Sequence, residues 1–212
     1  MRHTPLAALC VLIPLAGPAG AQQAARNSFF EPSVLSVPAI AAAEPDESNV
    51  FSGFSFGEAD TQWFSFGTMA SPDFMGHYDQ SVFAQYTYFL IDDFEVGVEG
   101  TFWGFFQDDN TVGVSTSLVM RYHFFQAERW SAFAEAGMGL MIAGDNVPDE
   151  GTSFNLMPRF GAGVTWQMFE DSPTRLITGL RWHHISNARI TGEEANPARD
   201  APGLYVGLMY QF

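Results

Sequence analysis

The chain has 212 residues, with 24 acidic side chains against 9 basic ones and a net charge of −15 at pH 7. A surface this negative would repel a phosphate backbone, so we expect no nucleic-acid partner. The single cysteine, Cys10, lies in an apolar segment near the start, which excludes disulfides, cysteine metal sites and a cysteine nucleophile from the rest of the chain.

Residues 1–21 have the pattern of a secretory signal peptide. A lone arginine precedes an apolar run and a cluster of small residues that ends at Ala21. The next segment, 22–55, contains three prolines and an alanine-rich patch, and we expect it to form a flexible periplasmic lead-in. The remainder, 56–212, is expected to be one β-barrel domain.

From about residue 60 onward, apolar and polar side chains alternate with a period of two, as in β-strands that have one apolar face. In 112–125, for example, the even positions are mainly apolar and the odd positions mainly small or polar. The alternating segments are 61–69, 80–91, 94–106, 112–125, 130–142, 154–168, 174–187 and 203–212.

The length of these segments decides the fold class. Strands of globular proteins have about 5–6 residues, whereas a tilted strand needs about 9–11 residues to cross a bilayer. Most of the eight segments have 10–15 residues, so the sequence predicts an all-β, eight-stranded antiparallel transmembrane barrel of the outer membrane. A terminal aromatic residue, here Phe212, is typical of such barrels. The alternative, a soluble lipocalin-like barrel, would carry its apolar face inward.

The seventh segment ends with a histidine and a serine two positions apart. Short and longer links alternate along the chain, which places this end of the segment at the outer surface. His184 and Ser186 share the even face, which is the lipid-facing side, whereas Arg181 and His183 face the lumen. A base and a hydroxyl at the level of the head groups are well placed to attack an acyl ester. Alternatively, both side chains simply hydrogen-bond to head groups.

The motif His184-Ile185-Ser186-Asn187-Ala188, followed by Asn196-Pro197 and an aromatic-ended strand, resembles the lipid A 3-O-deacylase (PagL) family and the wider acyloxyacyl-hydrolase-like group. The resemblance implies an eight-stranded outer-membrane barrel that hydrolyses the acyl ester at position 3 of lipid A. It also implies a serine, a histidine and an acidic residue on the outer face, with no metal and no cofactor.

Carried over by position, Ser186 resembles the nucleophile and His184 the general base. Asn187 resembles the asparagine of the oxyanion hole, to which the amides of Ala188 and Arg189 would contribute. Arg189 itself stands where a small residue is usual.

The acidic member of the set has three candidates. The family acid is usually a glutamate that follows a turn of the Asn-Pro-Gly type, and here the turn reads Asn196-Pro197-Ala198. Asp200 is the best match, followed by Glu194 and then Glu193.

The expected partner is lipid A of the lipopolysaccharide in the outer leaflet, which reaches the enzyme by diffusion within the membrane. Arg189 and Arg199 flank the motif, and two interpretations of them stay open: they contact the phosphates of lipid A, or they are solvated loop arginines with no role in binding. Whether the barrel forms a homodimer is left open.

Two other functions compete with the esterase. One is a non-catalytic barrel of structural or adhesion type, and the other is a narrow channel for small solutes. Since an eight-stranded barrel has little room beyond its own side chains, we expect the lumen-facing residues to form an internal salt-bridge plug. These are Glu95, Glu99, Trp103, Arg121, His123, Glu135, Arg159, Arg181 and His183.

Overall fold

The computed structural model describes residues 56–190, 192 and 196–212. They form eight antiparallel strands in a closed barrel, where each strand pairs with the next and the last pairs with the first. The strands are β1 (Gln62–Pro72), β2 (Tyr78–Ile91), β3 (Phe94–Phe106), β4 (Thr111–Gln126), β5 (Trp130–Val147), β6 (Thr152–Gln167), β7 (Arg175–Ile185) and β8 (Arg199–Gln211). The predicted eight-stranded fold is therefore confirmed.

The first 55 residues lie outside the described part of the chain, so the signal peptide at 1–21 and the lead-in at 22–55 stay predictions. Within the described ranges, no helix is long and apolar enough to cross a membrane.

The two faces of the barrel wall differ in chemistry as the alternation predicts. On β4, the even-numbered Leu118, Tyr122 and Phe124 are all more than half exposed on the outside, whereas Val119 and Arg121 are buried inside. Apolar side chains on the outside are stable there only against hydrocarbon, because water would disfavour so large an apolar surface.

Three glutamates and three arginines form a continuous chain of ion pairs across the lumen. In order of contact they are Glu95, Arg121, Glu135, Arg181, Glu99 and Arg159. No member is more than 5% exposed at its side chain, and each carries at least one opposite charge as a neighbour. Equal numbers of both signs neutralise one another in a space that excludes bulk water. The interior thus has the predicted salt-bridge plug, which favours a packed core over an open channel.

Several strands extend further at the outer end than the alternation predicts. β5 continues to Val147, and β8 begins at Arg199 rather than at residue 203. The alternation does not predict this earlier start of β8, because Pro202 and Gly203 are poor strand residues. Pairing with β7 nevertheless continues through this pair up to Arg199. As a result, Asp200, which was predicted to lie in the outer loop, lies in a strand.

We predict that Glu135→Gln weakens the barrel, because Arg121 and Arg181 would each lose a buried negative partner. The expected loss is roughly 3–5 kcal/mol in the free energy of unfolding. Urea titration of the refolded protein in lipid vesicles, followed by tryptophan fluorescence, measures it. The exposed acid Glu128 in the turn before β5 provides the control, since Glu128→Gln should leave the unfolding midpoint unchanged. Equal midpoints for both variants would contradict a stabilising ion-pair chain.

Candidate active site

The upper ends of β7 and β8 hold a cross-strand pair of titratable residues. His184 on β7 lies directly opposite Asp200 on β8 in the antiparallel register. Side chains of directly opposed residues stand next to each other on the same face of the sheet. Both positions are even, so the shared face is the outer one. This register brings together two residues that are 16 positions apart in the chain.

His184 links the carboxylate of Asp200 to the hydroxyl of Ser186. Nδ1 of His184 lies 2.8 Å from Oδ1 of Asp200, and Nε2 lies 3.1 Å from Oγ of Ser186. A carboxylate can only accept, so Nδ1 donates to it, and Nε2 of the neutral ring accepts from the serine hydroxyl. Ser186, His184 and Asp200, the three residues predicted as nucleophile, base and acid, are thus connected by hydrogen bonds. The alternative acids, Glu193 and Glu194, lie outside the described residues.

Ser186 is the most recessed of the three residues. It follows the last residue of β7 and exchanges two backbone hydrogen bonds with Leu156 of β6, at 2.8 and 3.2 Å. Ser186 is 9% exposed, whereas the side chains of His184 and Asp200 are 34% and 38% exposed. The hydroxyl is therefore reached from the outer wall past the imidazole.

The residues after Ser186 form a tight turn held by two asparagines. The amide of Asn187 donates to Oδ1 of Asn196, and the amide of Arg189 donates to Oδ1 of Asn187, both at 2.8 Å. Ala188 and Arg189 have the left-handed φ values of 52° and 63°. The Arg189 amide donates within this turn, and its contribution to an oxyanion hole stays a prediction. Asn187, which directly follows Ser186 in the chain, is buried.

Arg199 does not flank the site as predicted. It occupies an odd position of β8 and points into the lumen, where it is 3% exposed. Its guanidinium lies 2.6 Å from Asp79 and 3.4 Å from Asp73, and it donates to Gln107 at 2.7 Å. The predicted contact of Arg199 with substrate phosphates is therefore wrong. Arg189 is exposed, and its contact with phosphate stays a prediction.

Behind the outer site, the inner face of the same wall carries a buried ionic cluster. His183 Nε2 lies 3.1 Å from the Asp79 carboxylate that also binds Arg199. Asp73 in the first outer loop reaches the same arginine. Burial acts to raise the pKa of Asp73, but hydrogen bonds from the amide and imidazole of His77 hold that pKa below its ordinary value. The cluster ties β2, β7, β8 and the first outer loop together at the level of the outer site.

Trp182 contacts the site, although it lies outside the sequence motif. Its Nε1 donates to Oδ1 of Asp200 at 3.0 Å, which is the oxygen that His184 also binds. The alternation predicts that Trp182 shares the outer face with His184, because the two residues are two positions apart on one strand. The contact with Asp200 depends on the register of two strands, which that alternation does not specify.

A carboxylate, an imidazole and a hydroxyl in series are the groups needed for nucleophilic acyl transfer. The carboxylate orients the ring, the ring takes the hydroxyl proton, and the oxygen attacks a carbonyl carbon. Across residues 56–190, 192 and 196–212, no cluster of three or more His, Cys, Asp or Glu side chains could hold a metal ion.

A family model described as "Lipid A 3-O-deacylase (PagL)" matches residues 54–209, which include Ser186, His184 and Asp200. No curated protein sequence matches the chain. Among solved structures, the outer membrane enzyme PagL has 16% identity and a TM-score of 0.55, over 68% of this chain and 97% of the other. Neisserial surface protein A has 15% identity and a TM-score of 0.53, over 72% and 96%. At these identities, the structural likeness establishes the fold alone.

The left-handed turn after Ser186 generates a prediction for stability. A side chain with a Cβ costs about 1 kcal/mol more than glycine at a left-handed φ. Arg189→Gly should therefore be more stable than Arg189→Ala, because both variants lose the long side chain and only one keeps the Cβ. Urea unfolding of the two refolded variants measures the difference. A more stable alanine variant would contradict the left-handed conformation of residue 189.

Proposed function

Because the chain belongs to the lipid A 3-O-deacylase (PagL) family, we propose that it is a serine-type esterase that hydrolyses the 3-O-linked acyl chain of lipid A. The protein is an outer-membrane β-barrel of that family. The observation that carries the catalytic proposal is the continuous series of hydrogen bonds from Asp200 through His184 to Ser186 on the outer wall.

The depth of the site supports a membrane glycolipid as the substrate. Directly below it, Leu180 and Leu204 oppose each other on β7 and β8 and are more than 60% exposed on the outside, so they face acyl chains. His184 lies four residues above Leu180, which is about 13 Å along a strand. This spacing supports a position of the proposed catalytic group near the boundary where acyl chains are esterified to the sugar.

The first half of the reaction transfers the acyl group to the enzyme. His184 Nε2 takes the proton of Ser186 as Oγ attacks the ester carbonyl carbon, and Asp200 stabilises the imidazolium that forms. The tetrahedral intermediate collapses when the bond from carbon to the sugar oxygen breaks. His184 then gives its proton to that oxygen, which leaves as the sugar hydroxyl.

The second half releases the fatty acid. Water replaces the sugar in the site, and His184 takes a proton from it as its oxygen attacks the acyl-serine carbonyl. The second intermediate collapses to a carboxylic acid, and the proton on His184 returns to Ser186. The net reaction is ester plus water to alcohol plus acid, so the enzyme is regenerated without a redox partner.

Asn187 is our candidate for stabilising the oxyanion. It is 2% exposed and directly follows the nucleophile, and its Oδ1 accepts from the Arg189 amide. Because Oδ1 accepts from the Arg189 amide, the oxygen of the Asn187 carboxamide faces the turn and its Nδ2 points away from it. A side-chain amide N–H is the type of group that stabilises a developing negative charge in an oxyanion hole.

The proposal predicts that making the protein in a Gram-negative host changes the host's lipid A. Mass spectrometry should show the loss of one hydroxyacyl group with the wild-type chain and no change with Ser186→Ala, because only the attacking oxygen is removed. Folded protein in the outer membrane is verified for both chains. Identical spectra from the two would contradict the esterase and favour a structural or adhesive barrel.

Asn187→Asp tests the oxyanion donor. The aspartate keeps an oxygen that can accept from Arg189 but loses the N–H donors. The expected result is a fall in kcat of about 10²–10³-fold for lipid A hydrolysis in detergent micelles. Asn110→Asp is the matched control, because its Oδ1 accepts from the Gln107 amide in the loop between β3 and β4. Equal rates for both variants would exclude Asn187 from the oxyanion hole.

A further inference from the structure

The carboxylate of Asp200 has two donors on one oxygen. Oδ1 accepts from His184 Nδ1 at 2.8 Å and from Trp182 Nε1 at 3.0 Å. The two donors occupy alternate positions of β7 and reach the carboxylate from the same strand. The indole is thus part of the hydrogen-bonded series that the proposed mechanism uses.

A second donor restricts the orientation of an aspartate in this position. The Asp200 side chain is 38% exposed on the outer wall, and the torsion that turns its carboxylate is broad and nearly two-fold. Rotation would offer either oxygen to His184 or to surrounding water. A fixed N–H beside the imidazole selects one oxygen and one orientation, and it favours the ionised carboxylate.

The indole is itself held in place from two sides. Phe160 of β6 is the cross-strand partner of Trp182, and their rings stack at 5.8 Å with an interplanar angle of 21°. Phe74 of the first outer loop packs on it with ring centroids 6.0 Å apart. A tryptophan has only two side-chain torsions, so this packing fixes the direction of its N–H.

We infer that Trp182 is a positioning residue whose indole N–H orients the Asp200 carboxylate toward His184. The inference rests on the proposed esterase function and adds a fourth member to its hydrogen-bonded series. Trp182 acts through Asp200 and not on the ester itself.

Trp182→Phe removes the N–H and keeps an aromatic ring against Phe160. With a p-nitrophenyl acyl ester in detergent micelles, we expect kcat to fall about tenfold with KM unchanged. Trp166→Phe is the matched control, because Trp166 is an outward-facing tryptophan at the opposite end of β6. It should keep the wild-type kcat.

A double-mutant cycle separates orientation from packing. In an Asp200→Ala background the acceptor is gone, so Trp182→Phe should cause no further loss of kcat. The rate at which a fluorophosphonate labels Ser186, measured on the folded fraction only, should follow the same pattern. Equal losses in both backgrounds, or a change in KM alone, would overturn the inference.

Ser186→Ala distinguishes failure of this inference from failure of the function. If Ser186→Ala abolishes hydrolysis while Trp182→Phe retains the wild-type kcat, only the role of Trp182 is overturned. If Ser186→Ala retains hydrolysis, the esterase mechanism is overturned and the role of Trp182 with it.

Discussion

A closed sheet in hydrocarbon must satisfy every backbone hydrogen bond within itself, and this constraint governs the rest of the structure. Each strand must stay paired on both sides across the bilayer, so successive side chains go alternately to the lipid and to the lumen. Adjacent residues therefore have opposite surroundings. His183 is buried in an ionic cluster, while His184 stands on the outer wall beside Asp200. Similarly, Arg199 binds acids in the lumen, while Asp200 faces outward.

The inner and outer faces of the wall depend on each other. The cluster of His183, Asp79 and Arg199 bonds β2, β7 and β8 from inside at the level where the outer face carries the site. Losing one partner of a buried ion pair is strongly destabilising, so the cluster disfavours any register that separates His183, Asp79 and Arg199. The register that keeps them together sets His184 opposite Asp200, and a slip by one residue would send either side chain into the lumen.

Much of this arrangement can be predicted from the sequence, because alternation with a period of two is a local signal. It correctly assigns eight strands, the face of His184 and Ser186, and the charged lumen. What it misses depends on contacts between strands. The start of β8 was hidden by Pro202 and Gly203, which placed Arg199 wrongly at the surface. The bond from Trp182 to Asp200 requires the register of two strands, and the use of the Arg189 amide requires the left-handed turn.

The central claim is that the face of the barrel wall that carries His184 contacts lipid at the level of the lipid ester bonds. The most direct measurement reconstitutes the wild-type protein in bilayers that contain a lipid with a photoactivatable group near its ester bonds. Mass spectrometry then maps the adducts on β7. The account predicts adducts on Trp182 and His184 and none on Arg181 or His183. Adducts on Arg181 and His183, with Trp182 and His184 unmodified, would place the hydrogen-bonded series in the lumen and contradict it.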